Sequence, residues 1–256
     1  MSPNTKDEIK RAAATAKDLL GQLGPLVWAL HECRGSAAAR AILLSVDPGA
    51  YVEIGVADPW GCIRKRVVND LNRLRQGVSF AEAPRLFRSK GLRATINRSI
   101  VTYAVAVLEQ FLDGAGKPVF IARYGKKGGW RESFGFRCRK LCEVGVSVYC
   151  CQHYAESALL ALMRHKIVHV DAKVDKQFLE QVACIQKEAE RQLRFRLSDD
   201  GSSVVWMPSG GQELSSCWIC KDLSLAIDEV ILPLLRDAQA FVGEAEHTLL
   251  KSVTES

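Results

Sequence analysis

A chain of 256 residues of which 48% are hydrophobic has enough apolar material for a sizeable core, which excludes a chain disordered throughout. No run of eighteen apolar residues occurs and the opening MSPNTKDEIKRAAATAKDLL is charged and helix-like, so neither a membrane span nor a secretory leader is expected, and a soluble cytoplasmic protein is. The net charge of +6 is unevenly spread: residues 1–63 sum to −1, residues 64–140 to +13 and residues 141–256 to −6, which makes the middle a candidate surface for a polyanion or, equally, a set of solvated helix faces balanced by acidic ones.

In chain order, Lys6 to Leu23 is rich in alanine and leucine and predicts a helix ending at Gly21 to Gly24 and Pro25. A second helix is expected over Leu26 to Leu44, a turn at Asp47-Pro-Gly, and a short strand or irregular connection over Ala50 to Val56. Ile63 to Arg75 reads as a basic helix. Gln76 to Ala94 reads as loops around a short helix at Glu82 to Ser89. From a cap at Asn97 or Ser99, Val101, Ala104, Val105, Leu108, Phe111 and Leu112 recur on one helix face, with Gly114 and Gly116 ending the run. Lys117 to Gly129 then reads as a glycine- and lysine-rich connection, succeeded by a helix from Glu132 to Val144 or beyond.

The next helix, Glu156 to His169, carries the apolar stripe Leu159, Leu160, Met163 and Ile167. Another is expected from Lys176 to Arg194, then a β-hairpin over Arg194 to Met207 around Asp199-Asp-Gly. A last helix runs from Asp222 to about Leu250, where Pro233 should kink or interrupt it. The expectation is a mainly α protein with a small β-hairpin. Residues 1–95 form an N-terminal helical extension of unassigned role, and residues 96–250 a helical domain.

Arg164 and His169 stand five residues apart at the polar end of the Glu156 to His169 helix. That spacing alone is weak, because a chain with this many arginines meets it often by chance. The wider stretch LLALMRHKIVHVDAKVDKQFLEQV resembles the signature of the HEPN superfamily: an arginine, a polar residue, three more residues and a histidine, then a turn into the final helices. Val174-Asp-Lys-Gln-Phe-Leu resembles the segment after the histidine in RiboL-PSP-HEPN-like members, and Ala106-Val-Leu-Glu-Gln-Phe-Leu resembles the first core helix of that fold. The likeness covers residues 98–182, the last helices loosely, and residues 1–95 not at all.

The resemblance implies a HEPN-type helical bundle and a metal-independent endoribonuclease, working as a homodimer on RNA in a toxin–antitoxin or antiviral setting. An antitoxin or other regulatory protein would be a further partner. No cofactor is implied. Histidine titrates near neutrality and can move a proton to or from a ribose oxygen, while arginine presents forked donors to a phosphate. Positions five apart on a helix differ by roughly 140° around its axis, so convergence calls for a long arginine or for two facing copies. His165, where many members carry asparagine, lies four residues before His169 on the same face; it can orient His169, contact RNA or take the asparagine's place. Two histidines at that spacing can also ligate zinc, although no glutamate adjoins the first as in zinc proteases. Glu109 is a candidate to position Arg164, or a plain surface or capping glutamate.

Lys126, Lys127, Trp130, Arg131 and Lys166 are candidate RNA contacts, with Trp130 able to stack on a base or to pack on the bundle. Nine cysteines without a regular framework fit a reducing compartment. Cys217-Trp-Ile-Cys220 has the spacing of half a zinc site or a redox pair, but buried cysteines account for it more simply. The competing reading is a non-catalytic dimerising HEPN module that binds RNA or a protein, and a weaker third is a zinc-stabilised interaction protein.

Overall fold

The computed structural model describes residues 3–32, 90–125, 129–130, 133–169, 172–189, 193–207, 218–219, 223 and 228–254. Over these the protein is mainly helical. Helix α1 spans Pro3–Glu32, α2 Lys90–Phe111, α3 Lys117–Tyr124, α4 Phe134–Glu143, α5 Tyr154–His169, α6 Lys176–Glu188 and α7 Asp228–Thr254. A π-helical turn, Leu112–Gly116, joins α2 to α3, and a 3₁₀ turn, Val148–Cys150, precedes α5. Strands β1 (Phe195–Leu197), β2 (Val204–Trp206) and β3 (Trp218–Ile219) form one antiparallel sheet in that order. The anticipated hairpin is therefore present with a third strand added. Asp200 in its turn accepts from the Ser198 and Ser202 hydroxyls, which hold its carboxyl down at about 2.

The core is a bundle of α1, α2, α5 and α7. On α1 the buried residues Ile9, Ala13, Ala16, Leu20 and Leu23 alternate at spacings of four and three, a narrow stripe suited to lie along one partner helix. That partner is α7, whose Ile231, Leu234, Leu235, Ala238, Phe241, Val242, Ala245 and Leu249 are all buried. Burial of each leucine, isoleucine, valine or phenylalanine among these contributes about 1.5–3 kcal/mol. Lys17 Nζ lies 2.6 Å from Glu246 Oε2, and Gln239 donates to the Lys17 carbonyl at 2.8 Å. The buried face Ile9 to Leu23 of α1 thus belongs to the same core as α2, α5 and α7, and residue 95 lies inside α2.

Several boundaries differ from the sequence expectation. Helix α1 does not stop at Gly21 to Pro25 but runs on to Glu32; its buried Leu20 and Leu23 and its packing on α7 offset the local cost of Gly21. Helix α2 begins at Lys90, so Asn97 is a buried helical residue rather than a cap. Gly114 and Gly116 do not end it; the chain widens into the π turn and continues as α3. A Cβ at Gly114 would sit 3.0 Å from Ala12 Cβ, so a glycine here lets the π turn approach α1. The stop comes at Gly125, whose φ of +71° is the left-handed conformation that closes helices.

Helix α6 ends at Glu188 rather than Arg194. Pro233 sits inside α7 without interrupting it: it forfeits one backbone bond near the helix start, where Ile231, Leu234 and Leu235 anchor the turn in the core. The expected elements at residues 33–89, including most of the Leu26 to Leu44 helix and the Ile63 to Arg75 helix, lie outside the described residues.

Candidate functional site

Helix α5 carries the Arg164 and His169 positions, and its seat in the bundle is set by its sequence. Leu159, Leu160, Met163 and Ile167 are buried, as the apolar stripe requires. Both ends of α5 are pinned. At the start, Glu244 of α7 accepts from the His153 backbone N–H at 3.1 Å and lies 2.7 Å from His153 Nδ1. At the other end Lys166 is 1% exposed, and its ammonium donates to Asp175 Oδ2 at 2.8 Å and to Gln177 Oε1 at 3.2 Å. Asp175 in turn caps α6 by accepting from the Phe178 backbone N–H at 2.8 Å. Between them Ala172 adopts a φ of +58°, donates its N–H to the Lys166 carbonyl and accepts from the Leu223 N–H.

Arg164 is next to the buried Met163 and keeps 29% of its side-chain surface. Its Nη1 stands 3.8 Å from Glu109 Oε1 on α2, a charge contact longer than a hydrogen bond. Its Nε is buried with no hydrogen-bond partner among the described residues. Glu109 is fixed from two sides: its carboxylate accepts from the Phe134 backbone N–H at 3.2 Å, and its carbonyl accepts from Arg137 Nη1. Burial raises the Glu109 carboxyl above its ordinary range, against the opposing pull of Arg164 and Arg137.

The network extends away from Arg164. Arg137 Nη2 pairs with Asp113 Oδ2 at 2.9 Å, and Trp130 Nε1 donates to Asp113 Oδ1 at 2.6 Å. Asp113 belongs to the π turn, a local widening that recurs at functional sites. Beside these groups is an open cleft of about 440 Å³, lined by Glu109, Gln110, Asp113, Lys117, Trp130 and Arg137 with Ala106. Arg137, Asp113 and the Phe134 N–H were not singled out from the sequence. Asp113 stands next to glycines that read as a helix end, and nothing in Arg137-Cys-Arg139-Lys140 marks which cation turns inward.

Of the other expected residues, Glu109 is the one brought together with Arg164. His165 is exposed on α5. His169 is the last residue of α5, with its side chain outside the described residues. Trp130 packs on Phe120 with ring centres 5.5 Å apart and also faces the cleft. Lys166 departs from the expectation of a phosphate contact, because it is buried and its ammonium is occupied by Asp175. Lys126, Lys127, Arg131, Cys217 and Cys220 lie outside the described residues.

Within the basic middle segment, Arg123 donates to the carbonyls of Val144 and Ser252, and Lys140 pairs with Glu143, so part of that charge is spent on the fold. Arg98, Lys117 and Arg139 are exposed. No group of three or more histidine, cysteine, aspartate or glutamate residues suited to a metal occurs among the described residues, and none of their helices is long and apolar enough to cross a membrane. Comparison with family models, with curated proteins and with solved structures finds no match.

Proposed function

We propose that the chain is a HEPN-type endoribonuclease that cleaves RNA without a metal ion, by attack of a ribose 2′-hydroxyl on the adjacent phosphorus. The observation that carries this reading is the state of Arg164: its Nη1 is held beside Glu109 at 3.8 Å, longer than a hydrogen bond, while 29% of the side chain stays exposed, so a phosphate can reach the accessible part of its guanidinium. The cleft next to Glu109 offers room for the flanking nucleotide. In the reaction the 2′-oxygen loses its proton and bonds to phosphorus, the bond from phosphorus to the 5′-oxygen breaks, and that oxygen gains a proton. His169 is the residue for proton transfer, with His165 one helical turn away on the same face, and Arg164 offsets the charge that gathers on the phosphorane. Because positions 164 and 169 diverge around α5, the reading calls for a homodimer in which two copies of the motif share one groove. The biological setting, a toxin or an antiviral effector with a protein regulator, comes from the family resemblance.

The ion pair with Glu109 favours a second reading, in which Arg164 is structural and the protein is a dimerising module that binds RNA without cutting it. RNA incubated with the protein in excess chelator separates the two. The nuclease reading expects fragments ending in a 2′,3′-cyclic phosphate, lost in an Arg164→Ala, His169→Ala double variant. Equal degradation by parent and double variant overturns it, and binding without cleavage by the parent supports the module.

A further inference from the structure

Four cysteines gather where α4 ends and α5 begins. Cys138 and Cys142 lie one turn apart on α4, and Cys150 and Cys151 close the 3₁₀ turn that leads into α5. Their surroundings divide them into two pairs. Cys138 is fully buried, and burial pushes its thiol well above the ordinary range. Cys151 is pushed up to about 11, also by burial, with its Sγ 3.9 Å from the Thr248 hydroxyl. Thiols so held stay protonated and unreactive.

Cys142 and Cys150 are placed differently. Cys142 is half-buried and Cys150 exposed, and both lean on one hydroxyl: Ser147 Oγ is 3.9 Å from Cys142 Sγ and 3.1 Å from Cys150 Sγ. Sharing that contact keeps the two sulfurs within about 7 Å of each other. A change of χ1 rotamer moves a cysteine sulfur by about 3 Å, so rotation of the two side chains covers most of the separation. The intervening segment alternates, with Gly145 and Ser147 exposed while Val146 and Val148 are buried in the core.

We propose that Cys142 and Cys150 are a reversible disulfide site, oxidised by exchange with a small-molecule disulfide of the glutathione type. The exposed Cys150 thiolate attacks one sulfur of the donor; a mixed disulfide forms and one small thiolate leaves with the electron pair. Cys142 then attacks the Cys150 sulfur, forms the protein disulfide and expels the second small thiolate. Two protein thiols are oxidised by two electrons, the donor is reduced to two thiols, and the two protons released end on them. The bridge encloses Tyr149, whose ring meets Tyr154 of α5 edge-on at 4.6 Å, and so ties the end of α4 to the start of α5. The site is independent of any activity at Arg164.

The test treats the reduced full chain with oxidised glutathione, blocks remaining thiols with N-ethylmaleimide, and cleaves after glutamate. Cleavage after Glu132, Glu143 and Glu156 separates a peptide holding Cys138 and Cys142 from one holding Cys150 and Cys151. The expected result is one linked peptide pair with the maleimide on Cys138 and Cys151, released by dithiothreitol. Cys142→Ser and Cys150→Ser should each abolish it and leave the other cysteine as a glutathione adduct, whereas Cys151→Ser should retain it. Separate glutathione adducts without a linked pair, a bridge through Cys138 or Cys151, or loss of the link in Cys151→Ser would overturn the proposal.

Discussion

Lys166 and Asp175 are joined across the turn that comes after the candidate motif, with Nζ 2.8 Å from Oδ2 and the other carboxylate oxygen capping α6. The Lys166 bond is the main reason that the Asp175 carboxyl is lowered from its ordinary 3.8. A carboxyl lowered in the folded state contributes stability that is present above the unfolded value and is lost as pH falls through the folded one. Lys166→Met keeps the stem of the side chain and removes that contribution. Urea unfolding across a pH series should show the variant less stable than the parent near neutrality, with the gap closing below pH 3.8. A gap that persists unchanged in acid would mean that packing, not the ion pair, is what the substitution disturbs.

Glu109 has the opposite sign. Burial raises its carboxyl above 4.5, so the native state binds this proton more tightly than the unfolded chain does. The stability contributed by the protonated form is present below 4.5 and declines as pH rises through the folded-state value. Glu109→Gln keeps an acceptor for the Phe134 N–H and removes the titration. The difference in unfolding free energy between parent and variant should therefore move in the variant's favour as pH rises through this window.

The Arg164 side chain can be probed while its charge is kept. Arg164→Lys retains a cation near Glu109 but loses the fork that matches two phosphate oxygens. Under the nuclease reading RNA cleavage should fall by about 100-fold, the scale of losing one preorganised donor to a developing charge. Under the module reading RNA affinity should change little.

Helix α1 is tested through its stripe. Leu20 is 2% exposed in the contact with α7, and Leu20→Ala should cost about 2–5 kcal/mol in chemical denaturation. A cost below about 0.5 kcal/mol, the usual scale for surface positions, would return residues 3–32 to the status of an appended extension.

The close approach at Gly114 gives a coupled pair. Gly114→Ala places a methyl against Ala12 Cβ, and both methyls are fixed directly to helical backbone with little freedom to yield, so a loss of about 1–2 kcal/mol is expected. Combined with Ala12→Gly, the loss from Gly114→Ala should shrink in a double-mutant cycle, because the opposing methyl is gone.

Periodicity was the legible part of the sequence. Leu159, Leu160, Met163 and Ile167 marked the buried face of α5, and Asp199-Asp-Gly marked the hairpin turn, because each is a local pattern with a local cause. Gly21, Gly24, Pro25, Gly114 and Gly116 misled for the same reason: they report the local cost of a helix, while α1 and α3 persist through contacts with distant elements. At the candidate site, Glu109 and Arg164 were named from the sequence and stand together in the fold. Lys166 resembled its exposed neighbours in type alone, and its burial depends on Asp175 reaching back across a turn that no spacing announces. Arg137 and Asp113 meet because the π turn re-aims Asp113 toward α4, a change of helical register without a sequence signature.

The pairing of α1 with α7 also sets an order of events during synthesis. Lys17 and Glu246 are 229 positions apart, so the apolar stripe of α1 must wait for the intervening residues to be made before its partner exists. At common elongation speeds that wait is roughly 10–45 s. Throughout it, Ile9, Ala13, Ala16, Leu20 and Leu23 form a sticky amphipathic segment on a growing chain, open to capture by a chaperone or by another nascent copy.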